Sequence, residues 1–197
     1  MAGLIENIKL ILASGSPRRS EILKRHGFSF EVIKSSCDED TELTEPAEVV
    51  LQLSERKASD VCRRLDASKE EYYVLAADTV VALDGVIYGK PSDENDAFRM
   101  IKSLQGKVHQ VFTGVSVFRG SGEKLFSFAD ATFVTVYPMS DEEIWDYIKT
   151  GEPMDKAGAY AIQGLFAIYI EQFSGSYDNV VGLPVSRLYN EFKKVMD

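Results

Sequence analysis

Histidine and cysteine are scarce in this chain of 197 residues, and each scarcity closes off a kind of chemistry. The histidines are His26 and His109 and the cysteines Cys37 and Cys62, with no CxxC pair and no histidine beside either thiol. A zinc ligand set, a disulfide scaffold and any mechanism needing several imidazoles are thereby excluded. No apolar run approaches the roughly 20 residues that a membrane helix requires. The N-terminus breaks its apolar positions with Glu6 and Lys9 before a signal-peptide core forms, so the expected compartment is the cytoplasm, with no membrane partner. Positive charge is also short, because 22 Lys and Arg stand against 31 Asp and Glu, a formal charge of −9. Such a surface repels polyanions, which argues against extended nucleic-acid binding. A small anionic substrate stays open if its pocket is locally positive or carries a metal ion.

What is present alternates short apolar strands with amphipathic helices, without repeats or low-complexity linkers, and implies one α/β domain over residues 1–197. Leu10 to Ala13 reads as a strand that stops at Ser14-Gly15-Ser16-Pro17, and a helix pattern runs on to Gly27. Phe28 to Ile33 reads as a strand, and Pro46 opens a long helix with Val49, Val50, Leu53, Val61 and Leu65 on one face. Asp84-Gly85 between Val74 to Leu83 and Val86 to Tyr88 is a two-residue hairpin signal. Ser92 is the expected N-cap of a helix through Ala97, Phe98, Ile101 and Leu104. Val108 to Phe118 and Leu125 to Tyr137 read as antiparallel strands across Gly120-Ser121-Gly122, and Ser140 with Glu143 forms a capping-box pattern. Leu165 to Ile170 is expected to be a strand, and Pro184 opens a C-terminal helix. Mixed strand directions imply a mixed β-sheet flanked by helices.

Four segments can carry chemistry. With Ser16 as N-cap, Arg18 and Arg19 fall in a first helical turn, where the dipole is already positive; an anion, most naturally phosphate, gives them a reason to be there. The alternative is that both face solvent and pair with Glu21 or Glu31. Asp78 interrupts an otherwise buried strand, Ala76-Ala77-Asp78-Thr79-Val80-Val81, and an ionised carboxylate there needs a partner, a metal or a bend toward water. Lys57 falls beside the apolar stripe of the long helix, either as a snorkelling lysine or as a site residue. Lys90 lies in a loop, and Asp38, Glu39 and Asp40 either hold Mg²⁺ or form a solvated turn. Last, small residues surround Lys156 and Gln163, allowing close backbone approach to a ligand, and the glutamine amide can both donate to and accept from a nucleobase edge.

Together, Leu12-Ala13-Ser14-x-Ser16-Pro17-Arg18-Arg19, Ala77-Asp78-Thr79-Val80-Val81, Gly89-Lys90-Pro91, Thr113-Gly114, Glu152-Pro153-x-Asp155-Lys156-Ala157-Gly158-Ala159-Tyr160-x-Ile162-Gln163-Gly164 and Val181-Gly182-Leu183-Pro184 resemble the Maf family of nucleotide pyrophosphatases, in order from residue 10 to about residue 185. The resemblance implies an inosine-triphosphatase-like fold with a substrate cleft between two lobes. It also implies hydrolysis between the α and β phosphates, on dTTP and UTP for members with this Asp155 to Gly164 block. By position, Asp78 matches the family's proton acceptor, Arg18, Thr79 and Gln163 match positions tied to substrate choice, and Ser14, Arg19, Glu39, Lys57 and Lys90 match other polar cleft positions. Ala161 stands where many relatives have glycine.

On that footing Arg18, Arg19, Lys57 and Lys90 are expected to neutralise a triphosphate, with Mg²⁺ (Mn²⁺ or Co²⁺ substituting) held partly by Glu39 and Asp78. Asp78 would activate a water, and Gln163 would read a pyrimidine. Competing readings are a pyrophosphatase for non-standard purine triphosphates and a non-catalytic nucleotide-binding regulator of cell division. An exposed apolar surface could support a homodimer.

Overall fold

The computed structural model describes residues 8–196; residues 1–7, which carry most of the signal-peptide argument, lie outside them. Among the described residues seven strands form one mixed sheet. The strands are β1 (Leu10–Leu12), β2 (Phe30–Val32), β3 (Tyr73–Leu83), β4 (Val86–Tyr88), β5 (Val108–Arg119), β6 (Lys124–Val136) and β7 (Ile170–Ser174). The helices are α1 (Pro17–Arg25), α2 (Pro46–Cys62), α3 (Glu94–Leu104), α4 (Asp141–Ile148), α5 (Tyr177–Val181) and α6 (Val185–Met196). The order is β2-β1-β3-β5-β6-β7, with β4 folded back on β3. β1 runs parallel to β2 and β3, whereas β3, β5, β6 and β7 pair antiparallel. This is the expected α/β mixed sheet flanked by helices.

The central strand β3 sorts its side chains by the period of two. Leu75, Ala77, Val81 and Leu83 enter the larger core, which α1, α3, α4 and α6 complete with Leu23, Ile101, Ile144 and Phe192. Val74, Ala76 and Val80 face the other way, under α2. Helix α2 meets them with Val50, Leu53, Ala58 and Val61, and each Val or Leu so buried stabilises the fold by roughly 1.5–3 kcal/mol. Lys57 lies on this same buried stripe, so its side chain is carried toward the sheet. Gly114 permits the close approach, since a Cβ there would sit 2.2 Å from the Val50 carbonyl oxygen, and Gly114 is the β5 partner of Asp78.

Several local expectations hold. Asp84 and Gly85 both take positive φ between β3 and β4, and Ser140 and Glu143 form the reciprocal capping box of α4. Others need correction. Asp93, not Ser92, caps α3, because its carboxylate accepts the Asp96 N–H while Ser92 donates to the Asp96 side chain. The apolar run from Leu165 is not a strand; it makes a 3₁₀ segment over Leu165–Tyr169 that buries Phe166 between Tyr147 and Tyr160, and the strand begins at Ile170. Helix α5 had no counterpart in the sequence reading. No helix among the described residues is long and apolar enough to cross a membrane.

Candidate active site

Adjacent residues of β3 point to opposite faces, and the cleft opens where both faces come into use. It encloses about 630 Å³ and is walled by the β1–α1 loop, α2, β3, the Gly89-Lys90 loop, the 155–163 segment and the end of α5. On the α2 side, the Lys57 ammonium donates to Asp78 Oδ1 at 2.6 Å and lies 3.0 Å from Glu39 Oε1. Lys57 and Asp78 are both buried, which sets aside the snorkelling reading and the strand-bend reading alike. Glu39 remains exposed even with that contact, while Asp38 accepts the Asp40 N–H in a solvated turn.

On the opposite face Thr79 meets Arg19. The Arg19 guanidinium donates to the Gly182 carbonyl (2.8 Å), Ser14 Oγ (3.0 Å) and Thr79 Oγ1 (3.1 Å). Thr79 bonds in turn to Thr113, whose hydroxyl donates to the Asn179 carbonyl. Arg19 is thus fixed by three separate segments before any ligand arrives. Burial lowers its pKa, Asp78 opposes that, and Arg18 adds to it; an arginine remains charged regardless. Arg18, one residue earlier and about 100° around the helix, instead reaches across the cleft to Asp155 at 3.5 Å. Neither arginine pairs with Glu21 or Glu31, the latter being taken by Lys69. Lys90 is exposed at the cleft edge, and Gln163 is exposed on the facing wall.

The structure therefore brings Ser14, Arg18, Arg19, Glu39, Lys57, Asp78, Thr79, Lys90 and Gln163 to one cleft. Sequence reasoning left Lys156 without a role, yet its largely buried ammonium lines the cleft and pairs with Asp155. Burial pushes the Asp155 carboxyl up, but Lys156 and Arg18 together hold it below the usual range. Five cations (Arg18, Arg19, Lys57, Lys90, Lys156) thus stand against three carboxylates (Glu39, Asp78, Asp155), so the cleft is positive in a chain that is strongly negative overall. Local charge of this kind focuses an anionic ligand into the site.

The donor set also bears on the metal. Among the described residues no group of three or more His, Cys, Asp and Glu converges. Asp78 and Glu39 do converge, on the Lys57 ammonium. Mg²⁺ is commonly held by one or two carboxylates plus substrate phosphates and water, so this pair fits a metal that arrives with a polyphosphate rather than a protein-only cage.

Behind the cleft wall His109 is buried, with Nε2 2.7 Å from the Tyr160 hydroxyl and Nδ1 without a partner among the described residues. Burial pushes its pKa down to about 4 from 6.5. As pH falls the unfolded chain binds this proton first, so the stability gained by a neutral His109 is complete above pH 6.5 and drains away between pH 6.5 and 4. The expected loss is on the order of 3 kcal/mol. Chemical denaturation across that window should show a steeper decline for the wild type than for His109→Gln; parallel profiles would refute the assignment.

A cleft that gathers five cations around a lysine-bonded carboxylate in an α/β fold suits a polyphosphate ligand. The family described as Maf-like protein matches residues 9–195, and the chain belongs to that family. It is 46% identical over 190 residues to the dTTP/UTP pyrophosphatase of Thermoanaerobacter pseudethanolicus, covering 96% of this chain and 98% of that one. Similar proteins of the same description occur in Caldicellulosiruptor bescii (47% over 181 residues, 91% of each chain) and Thermococcus onnurineus (48% over 176 residues, 89% of this chain and 92% of that one). Among solved structures, a nucleoside-triphosphatase (dITP/XTP pyrophosphatase) from Mycobacterium abscessus aligns with a TM-score of 0.41 at 13% identity, over 67% of this chain and 76% of that chain.

Proposed function

We propose that this chain, acting as one domain over residues 1–197, hydrolyses dTTP and UTP to the monophosphate and pyrophosphate. The observation that carries the reading is the Lys57–Asp78 pair facing Arg19 across β3, a carboxylate held ready for a water beside fixed cations for a triphosphate. Of the two Asp78 oxygens only Oδ1 is hydrogen-bonded among the described residues, so Oδ2 is available to orient a water and accept its proton. The water oxygen bonds to the α phosphorus, the bond to the bridging oxygen breaks, and pyrophosphate leaves with its charge met by Arg18, Arg19, Lys57 and Lys90. Glu39 and Asp78 would hold Mg²⁺ with the substrate, Mn²⁺ or Co²⁺ substituting. When bound, such a metal acidifies water and neutralises phosphate oxygens.

Gln163 is the reader of the base. Uracil and thymine present an acceptor–donor–acceptor edge, and one amide can match two adjacent positions of it. Thr79 bears on substrate choice through Arg19, the group its hydroxyl holds. Gln163→Ala is expected to lower kcat/KM for UTP and dTTP by about tenfold or more with little effect on CTP. An equal loss on all nucleotides would assign Gln163 to phosphate binding or packing instead. The point of attack is tested in ¹⁸O-water: label should enter the monophosphate, and label in the pyrophosphate would move the attack to the β phosphorus. The cytoplasm is the proposed compartment, where both cysteines would stay as free thiols, as they are here. For a homodimer, Leu165 and Ile168, exposed in the segment that follows Gln163, are the candidate apolar contacts, and sedimentation velocity decides.

A further inference from the structure

Gln163 sits in a loop, and a loop side chain can select a base only if its backbone is held in place. The turn over residues 161–164 is closed by the Gly164 N–H donating to the Ala161 carbonyl at 3.1 Å, with Ile162 and Gln163 at its two central positions. Ile162 is buried in the core and Gln163 points out into the cleft wall. The turn is gripped from behind by Glu152, in the short 3₁₀ segment Glu152–Asp155 that follows α4. One carboxylate oxygen, Oε2, accepts the Leu165 N–H at 2.9 Å; the other, Oε1, accepts the Tyr147 hydroxyl at 2.8 Å. The carboxylate lies flat against the turn, for a Cβ on Gly164 would meet Oε2 at 2.3 Å and Oε1 at 2.4 Å. Burial, and then Glu152 itself, push the Tyr147 phenol far above its ordinary pKa, so the phenol stays a donor to the Glu152 carboxylate. The Glu152 carbonyl meanwhile accepts from the Lys156 ammonium at 3.3 Å, tying the same residue to the cationic side of the cleft.

We infer that Glu152, assisted by Tyr147, is the positioning residue that sets Gln163 for base selection, its carboxylate fixing the 161–164 turn from behind without touching substrate. The inference rests on Gln163 being the base reader. Glycine at position 164 is then a consequence of Glu152, because any side chain there would displace the carboxylate.

The test compares the wild type with Glu152→Ala, Glu152→Gln, Tyr147→Phe, Gln163→Ala and the double variant Glu152→Ala/Gln163→Ala, measuring kcat and KM for UTP and CTP, with thermal melts alongside. Glu152→Ala should reduce the UTP/CTP ratio of kcat/KM by about tenfold, the value of one or two lost hydrogen bonds, and by a factor similar to that of Gln163→Ala. The double variant should have no lower a ratio than Gln163→Ala alone, and Glu152→Gln, which can still accept from Leu165 and donate to the phenol, should recover most of it. Should Glu152→Ala fail to fold, Tyr147→Phe removes one arm with the ring packing retained and should lower the ratio in the same direction by a smaller factor. An unchanged ratio, an equal loss on both substrates, or additive losses in the double variant would overturn the inference while leaving Gln163 as the reader. If Gln163→Ala itself leaves the ratio intact, the base-reader assignment falls and the inference with it, and the two failures are distinguished by that single variant.

Discussion

Asp78→Asn is expected to reduce pyrophosphate release by about 100- to 10,000-fold, the range that a positioned general base contributes. The substitution keeps the shape of the side chain, and an amide oxygen can still accept from Lys57, which also retains Glu39 as a partner. What is lost is the ability to take a proton from water. A circular dichroism melt close to that of the wild type should therefore accompany a nearly dead enzyme. A well-folded Asp78→Asn protein with the wild-type rate would show that Asp78 is a structural partner of Lys57 and nothing more.

Lys57→Met is expected to damage both rate and stability. It leaves the buried Asp78 carboxylate without its closest cation; Arg19, which also acts on Asp78 electrostatically, is bound elsewhere. Removing one member of a fully buried pair costs about 3–5 kcal/mol, and this pair opens on a cleft, so the lower end of that range applies. The double variant Lys57→Met/Asp78→Asn should recover much of the stability in urea denaturation, since the stranded charge is gone, but none of the turnover. A single variant as stable as the wild type would mean that water in the cleft already solvates Asp78, and that the pair contributes little.

How far the sequence foretold this site depends on whether a residue's meaning is local. Asp78 was legible because a charge in an apolar strand demands a partner, and the hairpin at Asp84-Gly85 because its backbone requires positive φ. The identity of the partner was not legible: Lys57 reaches Asp78 only through the register of α2 over β3, which the missing side chain of Gly114 permits. Arg18 and Arg19 looked alike as first-turn cations, but helical rotation separates them, one held by Ser14, Thr79 and Gly182, the other facing Asp155. The 3₁₀ segment over Leu165–Tyr169 was misread because a short apolar run has no distinguishing period, and what decides it is the burial of Phe166 among Tyr147, Tyr160 and Tyr169. Glu152 carried no local signal of its own, as its partners lie before it at Tyr147 and after it at Leu165.

The most direct test is to incubate the purified protein with Mg²⁺ and, separately, dTTP, UTP, CTP, ITP, GTP and 7-methyl-GTP, and to identify the phosphate product of each. Pyrophosphate released chiefly from dTTP and UTP is the result this account predicts. Pyrophosphate chiefly from a purine nucleotide would contradict the role given to Gln163, and nucleotide binding with no hydrolysis of any kind would contradict the assignment of Asp78 and make the protein a nucleotide-binding regulator.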